Sequence, residues 1–181
     1  QHMIASASPE TGRVGVVMSY SVLFRSGVEA KIRRYLIEND LLETVIGLGP
    51  NLFYGTGISA CLLILRKNKD PEWARTVKVI DGHKRFQPGS NQNSLSDGDV
   101  DALYDAYSDV NVEPEQVKQA LVNHVDIEAN DWDLSINRYI EQDATETIDV
   151  TTALATMREA ENTTAVAQVA MQERLKAAGY V

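Results

Sequence analysis

The 181 residues carry 17 Lys and Arg against 26 Asp and Glu, a formal charge of −9, and 44% of them are apolar. That apolar share supports a core for one domain, or one small domain plus an appendage. The acidity excludes a broad electrostatic footprint on nucleic acid, so any DNA contact has to be local or shared with a partner.

The chain begins Gln1-His2-Met3. It is expected either to carry an artificial leader before Met3 or to be a piece of something longer, and residues 1–12 lack the basic start and apolar core of a signal peptide. Residues 13–18, Arg-Val-Gly-Val-Val-Met, are β-branched and apolar and predict a buried strand. A helix follows. Ser26-Gly-Val-Glu29 has capping-box spacing, and Val28, Ile32, Tyr35 and Leu36 are its expected buried face, with Asn39-Asp40 as the stop.

Residues 41–48 and 58–65 predict two more strands, the latter fully buried, and residues 76–80 a further one closing at Asp81-Gly82. Strand, helix, strand, loop, strand argues for the edge of an α/β sheet of about three to four strands. Beyond residue 80 the chain turns polar. Ser96-Asp-Gly-Asp99 again has capping-box spacing ahead of a helical stripe of Val100, Leu103, Tyr104 and Tyr107. Val117, Leu121 and Val122 after Pro114 predict a short helix, or a helix leading into a strand, and residues 130–139 have no assigned structure.

The acidic, Thr-rich residues 141–148 are expected to be a linker, and residues 149–178 one long helix with Gly179 as its C-cap. In that helix Val150, Leu154, Met157, then Glu161, Thr164, Gln168, then Met171, Leu175 and Ala178 follow heptad spacing with a polar centre. Such a seam is a poor self-zipper, and pattern alone leaves open a helix packed on its own domain or one offered to another subunit.

Chemistry is sparse. Cys61 is the one cysteine, which excludes an intrachain disulfide and suits a reducing cytoplasm. His2, His83 and His124 are scattered without metal-ligand spacing, so no metal is expected. The longest aliphatic run, residues 58–65, is about a third of a membrane span. Phe53-Tyr-Gly-Thr-Gly57 matches the letters of an adenosylmethionine-binding F-x-G-x-G, but a cradle needs a helix N-terminus after its glycines, and here a strand follows. Neither a nucleophile elbow, a P-loop nor a His-Glu-x-x-His motif occurs.

The segments 1–18, Val22-Leu-Phe-Arg25, Ile32-Arg33, 41–48, Asn51-Leu-Phe-Tyr-Gly-Thr-Gly-Ile58, Val79-Ile-Asp81, Asn91-Gln-Asn93, Asn130-Asp-Trp132 and Asn137-Arg-Tyr139 together resemble the C-terminal part of the modification subunit of type I restriction-modification systems. The 51–58 block is the most specific of them. The family are adenine-N6 DNA methyltransferases that use S-adenosylmethionine, with a Rossmann-like sheet. The resemblance implies that the cofactor motif and the catalytic Asn/Asp-Pro-Pro-aromatic motif lie upstream, so neither catalytic nor cofactor-binding residues are expected in this piece and it is expected to be inactive alone.

By the same resemblance, residues 1–80 correspond to the end of the catalytic domain, 81–140 to a mixed extension, and 149–181 to a helix that docks on the specificity subunit. The restriction subunit and DNA are implied partners of the full complex. Phe53, with Tyr54 beside it, matches the position that stacks on the flipped base, while Gly55 and Gly57 shape the loop. Arg25, Arg66, Lys67 and Lys69 are candidate phosphate contacts. Met18-Ser-Tyr-Ser21 stands where family members often have Pro and Gly, and no binding role is carried onto Ser19 or Ser21. The competing reading is a non-enzymatic interaction domain with a structural Gly-rich loop; a self-contained adenosylmethionine-binding domain is a third. A cut sheet edge would also favour self-association.

Overall fold

A computed structural model describes residues 2–141 and 150–180. Residues 2–141 form one compact unit. It opens with a short helix α1 (His2–Ser6), then β1 (Arg13–Ser19), a 3-10 turn (Tyr20–Leu23), α2 (Val28–Glu38), β2 (Leu42–Leu48), β3 (Ala60–Arg66) and β4 (Thr76–Gly82). After β4 come α3 (Asp97–Ser108), β5 (Lys118–Asn123), α4 (His124–Ala129) and a second 3-10 turn (Ile136–Arg138).

The five strands form one sheet in the order β1-β3-β2-β4-β5. Strand β3 runs antiparallel between β1 and β2, β2 is parallel to β4, and β5 is antiparallel to β4. The α/β reading therefore holds, with one strand more than the sequence leads one to expect. The extra strand comes from residues 118–123, where strand precedes helix rather than the reverse.

The central strands β2 and β4 are buried along nearly their whole length, on both faces, and carry Thr44, Lys78 and Asp81 inside along with their apolar residues. On one face Leu23, Leu36 and Ile37 pack with Val45, Val77, Val79, Ile127, Leu134 and Ile136. On the other, Ala102, Leu103 and Ala106 of α3 cover Ile46, Leu48 and Ile80. Strand β3 is only half-buried, because α3 leaves the face bearing Leu62 and Ile64 partly open.

Two helix readings need correction. Helix α2 starts after Gly27, at a φ of 81°, with no side-chain cap, so Ser26 and Glu29 form no capping box; Glu29 instead lies 3.8 Å from Arg25. Its buried residues are Arg33, Leu36 and Ile37, whereas Val28 is 68% and Tyr35 58% exposed. The face is rotated because Arg33 finds three backbone carbonyls on the inner side, described below. In α3 the Ser96–Asp99 capping box does form, yet the inward residues are Ala102, Leu103 and Ala106, and Val100 and Tyr104 face water.

Residues 142–149, which include most of the expected linker, lie outside the described residues. The second unit holds α5 (Val150–Ala177). It ends as expected at Gly179, whose φ of 77° lets Tyr180 N donate to Leu175 O at 3.0 Å and Gly179 N to Lys176 O at 3.1 Å. All side chains from residue 151 to 180 are exposed.

Candidate functional site

Residues 49–59 leave the C-terminal end of β2 and return antiparallel as β3, so the Gly-rich segment is a hairpin-like connection. Its tip is a tight turn in which Phe53 and Thr56 pair and Thr56 N donates to Phe53 O at 3.4 Å. Gly55 sits at a φ of 75°, where a side chain is strained. Ile58 N donates to the Thr56 hydroxyl at 3.2 Å. Around this turn the apolar side chains face outward: Phe53 is 41%, Tyr54 94% and Ile58 64% exposed.

The stem of the loop is held by a strap, residues 87–94. Asn93 N donates to Asn51 O at 2.8 Å, and the Asn93 carboxamide donates to Pro50 O at 2.9 Å. Gln92 Nε2 donates to Leu52 O at 2.7 Å, and Asn51 Nδ2 returns a bond to Asn91 O at 3.3 Å. The strap closes on itself through paired backbone bonds between Gln87 and Ser94, at 2.7 and 3.0 Å.

Neighbouring strand ends supply the rest of this surface. Asp81, buried at the end of β4, accepts from His83 N at 3.1 Å and lies 2.5 Å from His83 Nδ1, so the carboxylate sets the exposed imidazole's orientation. Tyr20 N donates to Ser59 O at 3.2 Å, and the Tyr20 hydroxyl accepts from Ile136 N at 3.3 Å. Burial pushes the Tyr20 phenol above its ordinary value, keeping it neutral.

The four basic residues named from the sequence separate. Arg25 follows the 3-10 turn that leaves β1 at the loop end of the sheet, where Ser19 pairs with Ala60, and its side chain is largely exposed. Arg66 closes β3 at the other end, about 20 Å away at the usual strand rise, and lies 3.4 Å from Glu43. Lys67 donates to Ala5 O at 3.2 Å and Ala7 O at 2.7 Å. Lys69, its side chain 3% exposed, donates to Asp40 at 2.6 Å and Thr76 O at 2.8 Å, and burial lowers its pKa. Lys67 and Lys69 thus spend their ammonium groups on the chain's own backbone and Asp40.

Sequence reasoning assigned Gln92, Asn93, Asp81 and His83 no role. Their signal was present, since Asn91-Gln-Asn93 and Val79-Ile-Asp81 belong to the resembling segments, but nothing in the letters joins a strap at 91–93 to a loop at 50–52. No group of three or more His, Cys, Asp or Glu that could hold a metal occurs among the described residues. The glycines of the loop lead into β3, so their amides offer no helix N-terminus to a cofactor.

The family model for N-6 DNA methylase matches residues 1–148. The type I restriction enzyme MpnII methylase subunit of Mycoplasma pneumoniae is 29% identical over 135 residues, 75% of this chain and 24% of that protein. The MjaVII methylase subunit of Methanocaldococcus jannaschii is 31% identical over 131 residues, 71% of this chain and 22% of that protein. Among solved structures, the type I restriction-modification methyltransferase subunit of Streptococcus thermophilus superposes with a TM-score of 0.67 at 33% identity, covering 75% of this chain and 28% of that one. The chain spans about a quarter of the length of these relatives. With an antiparallel β3 inserted between β1 and β2, an aromatic loop at the strand ends and a model match over most of its length, this chain belongs to the N-6 DNA methylase family.

Proposed function

We propose that this chain forms the target-base side of a type I restriction-modification methylase subunit that methylates adenine N6 in DNA. The observation carrying this reading is Phe53, an exposed aromatic ring on a loop whose stem is pinned at the strand ends of the sheet. The N6 amine of adenine is buried in duplex DNA, so the base must leave the stack before it can be modified. Phe53, with Tyr54 beside it, offers a face against which such a base can rest. Stacking contributes about 1–3 kcal/mol per base, enough to hold it but not to perform chemistry.

S-adenosylmethionine would supply the methyl group in the intact subunit. The loop glycines do not fit it, so no step through it is placed on these residues, and the chain by itself is expected to be inactive. Arg25, at the loop end of the sheet, is the candidate phosphate contact nearest the base; Arg66, Lys67 and Lys69 lie at the opposite end.

The exposed side chains of α5, including Leu154, Met157, Met171 and Leu175 on the heptad seam, fit a helix that docks on the specificity subunit, with the restriction subunit and DNA joining the assembly in the cytoplasm. Deleting residues 149–181 from the full-length subunit should abolish co-purification with the specificity subunit; retained co-purification would remove this role.

The decisive experiment is Phe53→Ala in the full-length subunit. Methylation should fall by about tenfold or more, and fluorescence of 2-aminopurine at the target position should lose its flipped-state signal, while S-adenosylmethionine affinity stays the same. Unchanged methylation would overturn base stacking by Phe53 and leave the Gly-rich loop a purely structural connection.

A further inference from the structure

We infer that Gln92 and Asn93 are positioning residues for the target-base loop, holding Phe53 where a flipped base can meet it. This rests on the base-stacking role of Phe53 proposed above.

The tip of the loop has little to hold it. Phe53, Tyr54 and Ile58 face outward, and a Cβ built on Gly55 or Gly57 would meet nothing within 4 Å. Its position is therefore set at the stem. There three consecutive carbonyls, of Pro50, Asn51 and Leu52, each accept one bond from the strap: the Asn93 carboxamide at 2.9 Å, the Asn93 backbone at 2.8 Å and the Gln92 carboxamide at 2.7 Å. Phe53 is the next residue.

Both carboxamides suit this task. Asn93 accepts from Gly89 N through Oδ1 at 3.3 Å, which turns its NH2 toward Pro50. A carboxylate at either position would place an acceptor against a carbonyl oxygen. Asn51, at a φ of 54°, points its own amide back to Asn91 and completes the clasp. The strap is itself anchored, because Gln87 Nε2 donates at 3.1 Å to Asp99, the capping-box carboxylate of α3. A continuous path of bonds thus runs from α3, packed on the sheet, through Asp99, Gln87 and the strap to the backbone beside Phe53. The strap is tight: a Cβ at Gly89 would stand 2.0 Å from Gln92 O, so only glycine closes it.

A loop held this way meets its ligand pre-organised, and displacement by about 1 Å can cost a hundredfold in rate. The test replaces each donor by an acceptor of the same size, Gln92→Glu and Asn93→Asp, in the full-length subunit. Both should lower kcat about tenfold or more with S-adenosylmethionine affinity within about twofold of the parent. Both should also raise hydrogen exchange of the Thr56 and Ile58 amides about tenfold while α3 and the central strands stay protected. Should a carboxylate variant fail to fold, Gln92→Met removes the donor without adding charge and is read in its place.

Unchanged exchange in the loop overturns the clamp. Full activity in both variants, with Phe53→Ala impaired, overturns the positioning role and leaves the base-stacking reading standing. Faster exchange with full activity, Phe53→Ala also being silent, removes the base-stacking reading and the positioning role with it.

Discussion

His124 Nε2 lies 3.5 Å from Asp40 Oδ1 in the interior, yet neither ring nitrogen makes a hydrogen bond among the described residues. Asp40, just past the end of α2 at a φ of 54°, already accepts from Lys69 Nζ at 2.6 Å and Arg75 N at 3.0 Å. Burial, then the neighbouring charge of Lys69, lowers the imidazole pKa below its ordinary 6.5; Asp40 pulls the other way and Arg75 adds to the lowering. His124 is therefore buried neutral. The unfolded chain takes up the proton more readily, so stability is full above the ordinary value and falls as the pH drops below it, by up to about 1.4 kcal/mol per pH unit. Urea unfolding at pH 8 and pH 5.5 should reveal the loss, and His124→Phe should flatten the slope. An unaltered slope in that variant would place the pH dependence elsewhere.

Arg33 is the polar residue that sets the face of α2. Its guanidinium donates to Val22 O at 2.8 Å, Arg25 O at 2.7 Å and Trp132 O at 3.1 Å, joining α2 to the segment after β1 and to the chain after α4. Burial lowers its pKa, but an arginine stays charged. Lysine cannot reproduce this planar fork. Arg33→Lys should cost about 1–3 kcal/mol by leaving buried carbonyls unpaired, and Arg33→Met at least as much, both read by equilibrium unfolding.

Gly55 and Gly57 are equivalent in the motif and different in the molecule. Gly55 needs a positive φ, whereas Gly57 does not, and a Cβ at Gly57 would find open space. Gly55→Ala should strain the turn by about 1–2 kcal/mol and lower methylation in the full-length subunit. Gly57→Ala should stay within about 0.5 kcal/mol of the parent. A methylation loss at Gly57 as large as that at Gly55 would mean that something approaches its backbone in the full complex.

Ser96 and Asp99 begin α3 and end the strap's anchor. The Ser96 hydroxyl, then its backbone amide and the Gln87 amide, hold the Asp99 carboxyl below its ordinary value, and Arg85 adds to this. The stabilisation is present above the ordinary carboxylate value of 3.8 and is lost as pH falls through the lower folded value. Ser96→Ala should cost about 1 kcal/mol and shift the acid-unfolding midpoint upward. An unmoved midpoint would show that the remaining donors suffice.

Much of the architecture is legible in the letters. Clusters of apolar and β-branched residues mark β2 and β4, although Thr44, Lys78 and Asp81 are buried among them, and the Ser96–Asp99 box and Gly179 mark helix ends by local hydrogen bonding alone. The aromatic loop, too, stands out by composition. What the letters misstate are the burial of β1, an edge strand in which only Val14 is buried, and the inward faces of α2 and α3, since amphipathic spacing cannot foresee that a guanidinium finds three carbonyls inside while Val28 and Tyr35 are left out.

The sequence by itself determined β1 to β4, the Ser96–Asp99 cap, the Gly179 stop and the aromatic tip, because these follow from side-chain character, backbone freedom and local bonding. Tertiary structure alone decided which distant residues meet. Gln92 and Asn93 reach Pro50, Asn51 and Leu52 across some forty positions, and Lys67 and Lys69 turn inward to carbonyls rather than out to solvent. Such pairings depend on how β3 slots between β1 and β2 and on where α3 settles, and no local pattern encodes that placement.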